Sequence, residues 1–171
     1  METNIQDSFH ATGNVRIDVI DKRTGKIVET KEDHNLIVKV GRSQLVKMLC
    51  GQSPTISGQP ILITKMAVGS GGTLVATPFV PIAPLDGDTA LYTPIAAGIN
   101  ALSSTTTDFN QTNPQVTFVA LFDCSVVNAL VNECALIFND GTTMFARYTF
   151  QTVSLQTASN FSIQISWTIQ F

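Results

Sequence analysis

Two apolar runs meet at Asp140-Gly141 within VNECALIFNDGTTMFARYTF, residues 131–150, and this feature constrains the fold of the chain more than any other. An Asp-Gly pair between apolar runs is the strongest short-range signal for a β-hairpin. A two-residue turn there sets Ile137 across from Met144, Ala135 from Ala146 and Val131 from Phe150, with Leu136 opposite Phe145 on the other face. Both faces are then apolar. A strand pair with one face in water alternates apolar and polar residues, so this pair is expected to be covered on both sides, by its own core and by a further layer or subunit.

Charge is sparse and unevenly placed. Only 13% of the 171 residues are charged, about half the usual ~25%. Beyond Lys65 the one basic residue is Arg147, set against Asp86, Asp88, Asp108, Asp123, Glu133 and Asp140. The surface of that region must be built from Ser, Thr, Asn and Gln, which can be buried against a copy of the same chain at little desolvation cost. A formal net charge of −3 and a pI near 5.2 argue against a nucleic-acid partner, which calls for basic patches. The start, Met1-Glu2-Thr3-Asn4, lacks the basic and apolar regions of a secretory signal, and no stretch is apolar for the ~20 residues of a membrane span. Synthesis in a cytoplasm, with no membrane partner, is the expectation. Cys50, Cys124 and Cys134 have no metal-like spacing and are expected as free, buried thiols.

Residues 1–12 are polar and unpatterned and read as an arm, which leaves 13–171 as one domain. A chain of this length buries roughly 70% of its unfolded surface, enough for a core without disulfides or metals. Val15, Ile17 and Val19 alternate with Arg16 and Asp18 in a half-buried strand, and Asp21-Lys22-Arg23-Thr24-Gly25 turns it into a partner strand over 26–30. Residues 34–38 form a third extended run. One short helix is expected from Gly41-Arg42-Ser43-Gln44 through Leu49, stopped by Gly51. A strand over 61–68 ends at Gly69-Ser70-Gly71-Gly72. Residues 70–115, broken by Pro78, Pro81, Pro84, Pro94 and Pro114, read as a long irregular loop, uncommon in a compact domain and expected to reach toward neighbours. Strands follow over 116–122, 131–138, 144–153 and 161–171. In the last, Phe161, Ile163, Ile165, Trp167, Ile169 and Phe171 alternate strictly with uncharged polar residues.

No constellation for catalysis, cofactor or metal binding stands out, and no enzyme is expected. Gly69-Ser70-Gly71-Gly72 follows a strand, but no Lys-Ser or Lys-Thr comes after it, so it reads as a turn rather than a phosphate loop. His10 and His34 lack ligand spacing, and Asp86-Gly87-Asp88 lacks the further carboxylates of a calcium loop. Asp123 and Glu133, each beside a Cys, have no His, base or nucleophile to work with. Glu133 has a better structural use. An unpaired carboxylate in an apolar strand costs several kcal/mol, and the two-residue register sets Glu133 opposite Tyr148 with Arg147 as the only nearby base. Glu133 with Tyr148 or Arg147 is therefore expected to act in assembly; Pro78, Pro81 and Pro84 of the loop and Trp167 of the last strand complete the candidate interface.

Several segments, in order, resemble a family of small structural proteins of tailed bacteriophages. His34-Asn35-Leu36-Ile37-Val38-Lys39-Val40-Gly41-Arg42 is similar to that family's "HNLIV..GR" opening. Ile63-Thr64-Lys65-Met66-Ala67-Val68-Gly69-Ser70-Gly71-Gly72-Thr73 resembles its "I..MAVG.G.T" strand and turn. Val131-Asn132-Glu133-Cys134-Ala135-Leu136-Ile137-Phe138 with Asn139-Asp140-Gly141 resembles its "INE.GLF..DG" hairpin, and Ile165-Ser166-Trp167-Thr168-Ile169-Gln170-Phe171 its closing "I.WTI.F" strand. The chain departs from the pattern at Ala135, where the family often has Gly, and in the Pro-rich insertion after Thr73. The resemblance implies a virion component made in a bacterial host cytoplasm.

The expected fold is all-β, a jelly-roll-like β-sandwich with one short α-helix and a long Pro-rich loop. The expected role is a non-enzymatic virion building block that forms homo-oligomers and docks on other virion proteins. Without the repeats or heptads of a fibre shaft, a place at the neck, collar, tail or baseplate is favoured, with a capsid decoration protein as the rival. A carbohydrate-binding module is the third reading; it usually displays aromatic residues, whereas here Trp167 sits on an apolar face with only Tyr92 and Tyr148 besides.

Overall fold

The alternation around Val15, Ile17 and Val19 produces the first strand, β1 (Thr12–Asp21), and Gly25, with φ +68°, closes the turn into β2 (Lys26–Ile37). Left-handed backbone of this kind is open to Gly without steric cost. Then follow α1 (Lys39–Leu49), two-residue strands β3 (Thr55–Ile56) and β4 (Gln59–Pro60), β5 (Ile63–Gly69), β6 (Pro94–Ala101), β7 (Ser104–Asp108) and β8 (Gln115–Asp123). The short α2 (Cys124–Val127), β9 (Ala129–Phe138), β10 (Met144–Leu155), a 3-10 turn at Thr157–Ser159 and β11 (Phe161–Gln170) complete the chain. This computed structural model describes residues 11–171 except 53, 54, 57, 58, 78, 79, 110 and 111, so most of the expected arm and Pro78 lie outside the described residues.

The described fold is all-β, with α1 its one substantial helix. Nine strands form one curled antiparallel sheet in the order β6-β5-β9-β10-β2-β1-β11-β8-β7, and β3 and β4 pair separately; the two halves of the expected sandwich are continuous with each other. The reason lies in β2. The partner strand and the third extended run expected from the sequence are one continuous strand, which pairs with β1 through Asn35 and then with β10 through Leu36 and Ile37. A second connection joins the two ends of the sheet. The region 70–115, expected to be irregular, contains β6 and β7, linked only by Leu102 and Ser103. Their backbone N–H groups donate in opposite directions, Leu102 to the Thr64 carbonyl of β5 at 3.1 Å and Ser103 to the Val119 carbonyl of β8 at 2.7 Å. The sheet thus curls until its ends meet.

Inside the curl, Val15 and Ile17 of β1, Phe122 of β8, Met66 of β5, Leu136 of β9, Phe150 of β10 and Ile163, Ile165 and Trp167 of β11 form the main core. Burying side chains of this size stabilises by roughly 1.5–3 kcal/mol each before the entropy of ordering them is counted. Outside the curl, a second apolar cluster joins Ala67 of β5, Ala135 and Ile137 of β9 and Met144 of β10 to Val38 and Leu91. The β9–β10 hairpin is therefore covered on both faces, and the outer layer is the chain's own helix start and Pro-rich segment. No helix among the described residues is long and apolar enough to cross a membrane.

The hairpin turn is longer than the expected two residues. Gly141 N–H donates to the Phe138 carbonyl at 2.9 Å, Gly141 has φ +76°, and the Asp140 carboxylate accepts the Thr142 and Thr143 N–H groups at 3.0 and 2.9 Å. Ile137 does face Met144, but an extra residue at Phe145 shifts the ladder so that Ala146 meets Leu136, Arg147 meets Ala135 and Tyr148 meets Cys134. This bulge turns Phe145 and Ala146 to the same core and carries Arg147 to the outer face. A further shift pairs Val131 with Val153 instead of Phe150.

Candidate functional site: a buried carboxylate latch

Glu133 lies on the outer face of β9 with no exposure, and its ladder partner is Thr149, not Tyr148 as the shorter turn predicted. Three backbone N–H groups converge on its carboxylate: Gly71 and Thr93 donate to Oε1 at 3.0 and 2.8 Å, and Tyr92 donates to Oε2 at 3.0 Å. Arg147 Nη2 donates to the same Oε2 at 2.5 Å. Both carboxylate oxygens accept two bonds each. Charge-assisted bonds of this type are about twice as strong as neutral ones, and here they offset the desolvation of a fully buried anion.

Arg147 is equally buried and binds a second carboxylate, Asp88, through Nη1 at 2.6 Å. Its guanidinium carbon lies 3.4 Å from the centre of the Tyr92 ring, which covers it from solvent. Burial works against the charge, but contacts with Tyr92, Asp88 and Glu133 outweigh it and hold the arginine pKa above its ordinary value. Arg147 Nε is buried with no partner. Burial, followed by the Glu133 charge, pushes the neighbouring Cys134 thiol well up. Cys124 is buried and free as well, whereas Cys50, expected to be buried, is exposed.

The turn after β5 is shaped for this carboxylate. A Cβ on Gly69 would lie 2.5 Å from Glu133 Oε1, and one on Gly72 would lie 2.2 Å from the Asn132 backbone oxygen. Only glycine lets the two backbones approach this closely. Asn132 extends the contact: its Oδ1 accepts the Gly72 N–H at 2.6 Å and its Nδ2 donates to Thr73 Oγ1 at 2.9 Å.

The Pro-rich segment is consequently strapped to the sheet at several points. Ile82 N–H donates to the Gly72 carbonyl at 2.8 Å and its carbonyl accepts Thr149 Oγ1 at 2.8 Å. No side chain caps α1; the Asp86 carbonyl accepts Lys39 N–H at 2.9 Å, and the Asp86 carboxylate accepts Arg42 Nη2 at 2.5 Å. Asp86 and Asp88, considered from sequence as cation ligands, are thus two rivets of one strap. Among the described residues no group of three or more His, Cys, Asp or Glu is placed to hold a metal.

Of the candidate interface residues, the structure brings Glu133 and Arg147 together but buries both. Tyr148 lies on the other side of β10, 8% exposed, stacked on Phe150 at 5.9 Å; burial first, then Asp33 and Cys134, pushes its hydroxyl up to about 12. It joins Pro81 and Pro84 along one groove. Trp167 is apart from all of these, fully buried between β1 and β8 with its Nε1 unpartnered. Neither periodicity nor spacing marks Asp88, Tyr92 or Asn132 as parts of the latch, although the scarcity of charge beyond Lys65 leaves Arg147 with few acids to choose from. With its oxygens saturated by the chain's own donors, Glu133 serves as a structural anion that fastens the outer layer to the sheet.

No protein-family model matches the chain, and no curated protein or solved structure matches it.

Proposed function

We propose that this chain is a non-enzymatic virion building block of a tailed bacteriophage, which self-associates and docks on other virion proteins at the neck, collar, tail or baseplate. The observation that carries the reading is the contact between Gly71 N–H and Glu133 Oε1. These residues belong to two of the segments that resemble the phage family, and they are 62 positions apart. Segments that resemble one family separately, and then build one buried joint, are what a shared architecture produces. The other two segments occupy comparable joints: residues 34–42 carry β2 from β1 to β10 and into α1, and residues 165–171 place Trp167 in the core. The Ser-Thr-Thr-Thr run of β7, exposed along its length and uncharged, supplies surface that loses little on contact with another subunit.

Quantitative mass spectrometry of purified virions tests this directly. A symmetric ring on the tail axis gives about a dozen copies or fewer per particle. Hundreds of copies would place the protein on the capsid shell as a decoration protein, and absence from the particle would overturn the virion reading.

A further inference from the structure

β2 and β10 pair through only two residue pairs, Leu36 with Arg147 and Ile37 with Ala146. From Lys26 to Asn35, β2 has β1 on one side and, among the described residues, no ladder partner on the other. Beyond Arg147, β10 has β9 on one side and, among the described residues, an equally unpaired opposite edge at 148–151. The strands separate there into a groove of about 520 Å³, lined by residues 31–34 of β2 and 148–151 of β10, with Pro81, Ala83 and Pro84 along one wall.

The lining residues identify what bounds this groove. A groove on a sheet face meets every second residue of a strand, because side chains alternate between faces. Here four consecutive residues of each strand line it, so its walls are strand edges that present backbone N–H and C=O groups. Such edges are completed by an added strand. The free charge beside the β2 edge is acidic: Lys31 is taken up by Glu29 on its own strand and Arg16, the ladder partner of Glu32, by Asp18, while Glu32 and Asp33 are exposed and in no salt bridge among the described residues.

We propose that this groove takes an extended, basic segment of a partner protein, inserted as a strand between β2 and β10 with its lysine or arginine side chains toward Glu32 and Asp33. The strand edges carry this inference whatever the station of the protein. The segment would lie along Pro81 and Pro84, which are held against β10 through Ile82.

The test is a titration of the 15N-labelled full chain with a blocked hexapeptide Val-Thr-Lys-Lys-Thr-Val, whose two adjacent lysines fall on opposite faces of an inserted strand, as Glu32 and Asp33 do on β2. Expected are amide shifts and slowed hydrogen exchange confined to residues 30–35 and 148–151. A peptide N-methylated at alternate nitrogens should bind about tenfold or more weakly, the loss of one to two backbone hydrogen bonds. The exposed double variant Glu32→Lys with Asp33→Lys should come to prefer the same peptide with Glu-Glu in place of Lys-Lys. Absence of shifts at millimolar peptide, shifts elsewhere, or equal binding of the N-methylated peptide would overturn the proposal. So would protection of the same amides in the peptide-free chain that vanishes on dilution, which would identify a second copy as the occupant.

Discussion

Glu133 and Arg147 are joined at 2.5 Å although neither is the other's ladder partner: Glu133 pairs with Thr149 and Arg147 with Ala135. The diagonal contact exists because the bulge at Phe145 moves Arg147 to the outer face, beside a carboxylate already held by three backbone N–H groups.

Removing that carboxylate's charge leaves Arg147 buried with half its support. Glu133→Gln is expected to destabilise the fold by about 3–5 kcal/mol, the usual cost of stranding one member of a buried ion pair. Adding Arg147→Met should recover part of the loss. Urea denaturation of both variants checks this, and unchanged stability of Glu133→Gln would refute the latch.

Glycine at 72 is required by space. Gly72→Ala puts a methyl 2.2 Å from the Asn132 carbonyl oxygen, on the rigid backbone of β9. A loss of about 1–3 kcal/mol is expected. Gly87→Ala is the control, since nothing lies within 4 Å of a Cβ there; its effect should stay within about 0.5 kcal/mol. Thermal unfolding of the pair separates the two.

Asp123 gives the fold an acid limit. Its Oδ1 accepts Lys22 Nζ at 2.8 Å and caps α2 through Ser125 N–H, and these contacts hold the carboxyl at about 2 against an ordinary 3.8. A lowered carboxylate stabilises the folded state fully above the ordinary value and loses that contribution as pH falls from 3.8 to about 2. Solvent screening keeps the effect to about 1 kcal/mol or less. Asp123→Asn should show a flatter loss of stability across that window, measured by denaturation at stepped pH.

Thiol titration reads the burial pattern. Cys50 is exposed, while Cys124 and Cys134 are free and enclosed. A disulfide-exchange reagent should label one thiol per native chain and all three after denaturation; rapid native labelling of Cys134 would contradict its place in the core.

Strands with a strict period were legible in the sequence. β11 reads directly from Ile163, Ile165, Trp167 and Ile169, and Gly51, with φ +70°, lies just past the helix end as expected. Elements made by long-range pairing were not legible. Lys31-Glu32-Asp33-His34 looks like an interruption by local propensity, yet β1 holds it extended within one long strand. Pro94-Ile95-Ala96-Ala97-Gly98 carries little strand propensity of its own, and it is held at its two sides, where β5 pairs with Pro94 and with Ile99, Asn100 and Ala101. The latch was half legible: Glu133 called for a partner, and Arg147 was the only base. Asp88 and the Gly71, Tyr92 and Thr93 amides could not be found by periodicity, because the chain returns to them only through the strap.

The meeting of β6 and β7 across Leu102 and Ser103 has a mechanical consequence. With that join made, the described strands form a split hoop with a gap where β2 leaves β10. A hoop pulled or squeezed yields at its gap while the rest of its circumference keeps its shape. Load passed through this chain would therefore concentrate on the hinge at Leu36–Arg147, and a strand lodged in the gap would stiffen the entire ring.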